Sequence, residues 1–150
     1  MRNLVPNGGW EDLRRSLEKC WSADTSANPN QWMPASPAVG QCAVTALIVQ
    51  DLYGGDLLRS DVGGSSHYWN RIPSGEEIDL TRDQFGDAVV IPEGSPRDRA
   101  YVLSFTKTRR RYALLRERIL ARLTGREMSL DWDLDAADAG RNSPEPRLPR

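Results

Sequence analysis

Cys42, His67 and Asp79 are the residues of this 150-residue sequence whose types and order could support covalent chemistry. A cysteine attacks as its thiolate, and an ordinary pKa near ~8.5 leaves only a few per cent ionised at neutral pH. Gly40-Gln41-Cys42 leads into a run that is apolar nearly all round, so the thiol falls at a helix N-terminus. There the unpaired N–H groups and the helix dipole favour negative charge. A neighbouring imidazolium favours it further. The sequence holds a single histidine, His67, so any histidine that serves Cys42 is this one. Asp79 follows twelve residues later and carries the group that could orient the ring.

Positioning these groups requires particular elements. Trp10, Leu13, Leu17 and Trp21 recur at helical spacing and predict an amphipathic first helix, with Glu11 and Asp12 suited to its start. Ser22 to Gly40 is rich in Ser, Asn, Pro and Gly and reads as irregular. Cys42 to Tyr53 reads as a core helix stopped by Gly54-Gly55. A strand is expected over Asp56 to Val62, then a Gly63–Ser66 turn, then strands His67–Ile72 and Glu77–Leu80 joined by Pro73–Glu76. His67 and Trp69 then share one face, Tyr68 and Asn70 the other. Closing that hairpin brings His67 and Asp79 near each other. Gly86 to Arg99 reads as irregular, and Lys107 to Leu123 as a last helix with Gly125 as its stop.

Composition bounds the answer. The formal net charge of −1 argues against nucleic acid and anionic membrane surfaces as partners. The run Arg109-Arg110-Arg111 with Arg116, Arg118 and Arg122 is expected on a solvated helix face, with Tyr112, Leu115 and Ile119 turned inward. The longest apolar run is too short to span a bilayer, and the N-terminus lacks a secretory pattern. With only Cys20 and Cys42, the expectation is a cytoplasmic protein with unpaired thiols. No metal, dinucleotide or P-loop motif is present, so no cofactor is expected.

The candidate oxyanion donors are the Cys42 N–H and the side chains of Gln31, Gln41 or Trp32. Asn70 and Gln84 read equally as substrate-binding amides or polar strand residues, and Trp32 and Trp69 as cleft walls or core.

The order and setting of these residues resemble the papain-like and transglutaminase-like cysteine enzymes. The resemblance lies in Gly40-Gln41-Cys42 with its hydrophobic helix, His67-Tyr68-Trp69, and Gly75 followed by Ile78-Asp79-Leu80-Thr81. The run from Trp32 through Phe85 is also similar to the YunG-like family of small bacterial proteins. That similarity rests on Gly40-Gln41-Cys42-Ala43-Val44-Thr45-Ala46, His67-Tyr68-Trp69-Asn70 and Asp79-Leu80-Thr81-Arg82-Asp83-Gln84-Phe85, and more weakly on Thr108 to Ile119. The resemblance implies an α+β fold, with a nucleophile helix packed on a small antiparallel β-sheet and further helices at both ends. Length and composition lead to an expectation of one domain over residues 1–130, followed by a partly disordered tail over 131–150 that is acidic, then Pro- and Arg-containing. The resemblance implies a cysteine-dependent hydrolase or acyl transferase, of peptidase, amidase or deamidase type, acting on a peptide or small amide-containing substrate.

Two positions depart from the papain-like pattern. Ser36 stands where those proteases carry an oxyanion glutamine, and Asp79 where they favour asparagine. Four other readings stay open. These are a non-catalytic ligand- or protein-binding module on the same fold, a redox-sensing thiol with Cys20 as resolving partner, a catalytic three-ligand zinc site, and a buried structural cysteine.

Overall fold

The computed structural model describes residues 2–125, so the expected 131–150 tail lies outside the described residues. Helix α1 spans Gly9–Glu18, with Glu11 and Asp12 in its first turn and Leu13 and Leu17 fully buried. The chain leaves this helix at Lys19, and Cys20 and Trp21 continue into the core. Helix α2 spans Cys42–Tyr53 and helix α4 spans Thr106–Leu123, after a short helix α3 at Arg99–Leu103.

Strands β1 (Asp56–Val62), β2 (Ser65–Arg71), β3 (Glu77–Ile78) and β4 (Ser95–Arg97) form one sheet in the order β3-β2-β1-β4, with every pair antiparallel. The fold is α+β.

The uniform apolarity of α2 has a simple cause, since it is covered on two sides. Val44, Ile48, Val49 and Leu52 pack with Leu13, Leu17, Leu115 and Ile119 of the other helices. Ala46 and Leu47 pack with Leu57 and Tyr68 of the sheet and Val102 of α3. The one hydroxyl among the buried positions of α2, Thr45, accepts from the Trp21 indole N–H at 3.0 Å. Arg99 pairs with Asp51 at 2.8 Å, and both meet the Tyr112 hydroxyl, which ties α3 and α4 to α2.

Three differences from the sequence expectation have physical reasons. The β1–β2 turn is only Gly63-Gly64, with φ of 60° and 86°, the positive pair that two-residue hairpins require. Ser65 and Ser66 are therefore free to pair, and β2 starts two residues early. Strand β4 falls within a stretch expected to be irregular. Its central Pro96 sits on the sheet edge, where a missing N–H costs no ladder bond. Of the arginine run, Arg109, Arg110 and Arg116 are exposed, but Arg111 and Arg118 are half-buried. Arg118 donates to the Cys20 carbonyl at 2.9 Å and to Ser22 Oγ at 3.0 Å, so that face of α4 docks on the loop after α1.

Candidate active site

Cys42 owes its place to the turn before it. Gly40 has φ of +74°, and a Cβ there would collide with Ser26 Oγ and lie 2.8 Å from the Ala27 nitrogen. Only glycine fits both constraints. The Gly40 carbonyl accepts from the Ala27 N–H at 2.8 Å, which fastens the 23–29 loop to the start of α2. Gln41, fully buried, locks the same turn: its Nε2 donates to the Ser22 carbonyl at 3.0 Å, and its Oε1 accepts from Thr25 Oγ1 at 2.8 Å. Cys42 emerges half-buried, and its Sγ lies 3.9 Å from the Ser66 carbonyl oxygen.

His67 is only 1% exposed. Along β2, Tyr68 joins the sheet-side core and Asn70 donates to the Ala46 carbonyl at 2.9 Å, so these two face α2. His67 and Trp69 alternate to the other face, where their rings stack with centroids 5.4 Å apart. Phe85 meets the imidazole edge-on at 4.8 Å. His67 Nε2 lies 2.6 Å from Asp79 Oδ2. The other carboxylate oxygen, Oδ1, accepts from the Thr81 N–H at 3.2 Å and from Thr81 Oγ1 at 3.4 Å. Asp79 is thereby held from both sides.

With Nε2 engaged by Asp79, Nδ1 is the ring nitrogen left for Cys42. It is buried and makes no hydrogen bond of normal geometry among the described residues. Burial opposes a charge on this ring. The hydrogen bond to Asp79 and the interaction with Cys42 outweigh it, together with the charges of both partners, and raise the His67 pKa from 6.5 to about 9. The ring is an imidazolium at neutral pH, next to an accessible thiol. The arrangement can hold a thiolate–imidazolium pair.

The remaining candidates are placed as follows. Gln84 Oε1 accepts from the Gly40 N–H at 3.4 Å while its Nε2 donates to Thr81 Oγ1 at 3.1 Å, so it bridges the Cys42 turn and the Asp79 loop. Trp69 donates its indole N–H to Glu77 at 2.9 Å and lines a groove of about 230 Å³ with Asp79, Ile91 and Glu93. Trp32 donates to the Pro37 carbonyl at 2.9 Å, and Gln31 is exposed on the same loop. Asn70 and Gln41 are turned into the body of the fold, where a substrate does not reach. Cys20 and Cys42 form no disulfide with each other, and Cys20 is buried in the helical core.

Three residues around the site escaped the sequence reading: Thr81 as the clamp on Asp79, Phe85 against the imidazole, and Arg111. Burial lowers the Arg111 pKa, and the charge available at Cys42 opposes that shift. A signal existed, because Arg111 precedes Leu115 by four residues and so lies on the inward flank of α4.

A family model described as YunG protein matches residues 9–124, a span that takes in all four helices, the sheet and every residue of this site. The chain belongs to the YunG family. Within it, the uncharacterized protein YunG of Bacillus subtilis (strain 168) is 37% identical over 75 residues, covering 50% of this chain and 62% of that protein. The chain thus aligns with less than two thirds of that relative's length. No solved structure matches the chain. Among the described residues of this YunG-family chain, no helix is long and apolar enough to cross a membrane. No group of three His, Cys, Asp or Glu residues among them is arranged to hold a metal ion.

Proposed function

We propose that this chain is a cysteine-dependent hydrolase or acyl transferase of papain-like or transglutaminase-like fold, acting on amide or related acyl bonds of a peptide or small molecule. One observation carries the reading. The His67 ring, charged at neutral pH, is held by Asp79 at 2.6 Å through Nε2 and leaves Nδ1 to an accessible Cys42 thiol.

Cys42 Sγ attacks the acyl carbon and forms the C–S bond, and the carbonyl oxygen takes the negative charge. The Cys42 N–H, in the first turn of α2 and without an intrahelical acceptor, is one donor for that oxygen. Gln31, the exposed amide of the preceding loop, is the candidate for the second. As the C–N bond breaks, His67 gives its proton to the leaving amine. Water then attacks the thioester while His67 takes its proton, the C–S bond breaks, and the ion pair is restored. An amine in place of water makes the same cycle a transfer.

Mass spectrometry of the intact protein after exposure to p-nitrophenyl acetate tests this. The reading expects one acetyl group on Cys42, absent in Cys42→Ser and slow to form in His67→Ala. Acetylation that is unselective, or indifferent to His67, contradicts it.

A non-catalytic binding module is the second reading. Gln41, adjacent to Cys42 in the chain, and Gln84, bonded to the Gly40 N–H, are both engaged in holding loops together. Formation of a stable acetyl-enzyme that neither water nor amines resolve would favour it.

A further inference from the structure

One flank of the Cys42 turn carries groups that acyl chemistry leaves unused. A cleft of about 400 Å³ separates the loop residues Ser26, Ala27 and Pro29 from Lys107, Arg110 and Arg111 of α4. Its loop wall is fastened to the nucleophile turn, through Ala27 N–H to the Gly40 carbonyl and Ser26 Oγ to the Val39 carbonyl, both at 2.8 Å. Cys42 stands two residues beyond Gly40.

Arg111 is the unusual member of this cleft. It is half-buried, and its Nε–H is buried without a hydrogen-bond partner among the described residues. One terminal nitrogen donates to Thr108 Oγ1 at 3.3 Å, and no carboxylate among the described residues pairs with the guanidinium. The acidic residue in the cleft wall, Asp24, is drawn instead toward Arg118 at 3.9 Å. A half-buried cation with a spare donor is a costly arrangement unless an anion completes it. Arg111 also feels the charge at Cys42, which opposes the effect of burial on its guanidinium. The guanidinium fork matches the two oxygens of a carboxylate, and partial burial shields such a pair from salt.

We propose that this cleft is an anion subsite, in which Lys107, Arg110 and Arg111 hold a negatively charged group on the acyl substrate, with half-buried Arg111 as its anchor. The inference rests on Cys42 as the reacting thiol and names the class of substrate: acyl compounds carrying a carboxylate or another oxyanion close to the scissile bond.

Two alkylating agents test it on the full chain at low ionic strength. Iodoacetate and iodoacetamide both form a C–S bond at Cys42 and expel iodide, and they differ in one carboxylate. The ratio of their rates cancels the thiolate fraction and reads the anion subsite alone. Arg111→Gln is expected to lower the iodoacetate-to-iodoacetamide ratio roughly tenfold, the size of effect that one charge about 10 Å away has at an effective dielectric near ~20. Arg111→Lys should retain most of the ratio. Lys107→Gln and Arg110→Gln, at exposed positions where folding is not at stake, should lower it by smaller factors. An equal ratio in wild type and all three glutamine variants overturns the proposal. Failure of the Cys42–His67 reading shows elsewhere, in the pH profile of iodoacetamide by itself. Protection against iodoacetate by succinate would identify a carboxylate substrate, and protection by inorganic phosphate a phosphorylated one. Protection by neither would overturn the subsite.

Discussion

His67 Nε2 lies 2.6 Å from Asp79 Oδ2, although the strand register places the two residues on a diagonal and not face to face. Asn70 pairs with Ile78, so one step further along the ladder sets Trp69 across from Asp79. Strand β3 ends at Ile78, and the carboxylate turns back toward the imidazole under the hold of Thr81. Diagonal neighbours are within reach of long side chains, and here the reach is closed by a charge-assisted hydrogen bond.

This bond makes stability depend on pH in a defined window. His67 is raised from 6.5 to about 9 in the fold. A raised histidine contributes stability that is fully present below its unfolded pKa of about 6.5 and lost as pH rises through its folded value. The expected loss between pH 6.5 and 9 is on the order of 3 kcal/mol. Urea unfolding of Cys42→Ser, in which no thiolate forms to offset it, should show the Asp79 share of this loss across that range, with a much flatter profile when Asp79→Asn is added. Identical slopes in the two proteins contradict the assignment.

Thr81→Val, nearly isosteric, removes the hydroxyl that Asp79 and Gln84 share. It should cost about 1 kcal/mol in stability. It should also lower the His67 pKa, as read by NMR titration, because the carboxylate is held less firmly. A pKa that stays put would show that Thr81 only supports the loop.

Gly40→Ala should destabilise by roughly 2 kcal/mol or more, since the left-handed backbone and the contact with Ser26 and Ala27 both resist a Cβ. Slower Cys42 alkylation should accompany the loss in protein that remains folded. Alkylation at the wild-type rate would separate the turn from the thiol.

Asn70→Ala discriminates between packing and binding. It removes the bond to the Ala46 carbonyl inside the fold and should cost about 1–3 kcal/mol in denaturation midpoint analysis. Cys42 alkylation should be unaffected, because Asn70 faces α2 and not the His67 side of the sheet. A large drop in reactivity with little loss of stability would return Asn70 to the site.

Much of this arrangement was legible in the residues. Apolarity on every side of Cys42–Tyr53 announced a helix covered twice, and its bounds in the fold are the expected ones. Gly-Gly and Pro-Ser-Gly-Glu marked both hairpins. The juxtaposition of His67 with Asp79 followed from closing the second hairpin. The unread parts depend on partners remote in sequence. Strand β4 is three residues with a central proline, and it exists only because β1 offers an edge. Gln41 looked like a group facing the site, yet Ser22 and Thr25, far back in the chain, draw it inward. Arg111 sat within a basic run that suits solvent, its spacing from Leu115 the one hint otherwise, and the docking of α4 against the 22–29 loop turns it in together with Arg118.

The central claim is that Cys42 and His67 form an ion pair, and the pH dependence of Cys42 alkylation by iodoacetamide tests it most directly. In wild type the reaction should already run fast at neutral pH, and in His67→Ala it should slow there and demand a higher pH. An inert thiol, or an ordinary profile unchanged by His67→Ala, would contradict the claim.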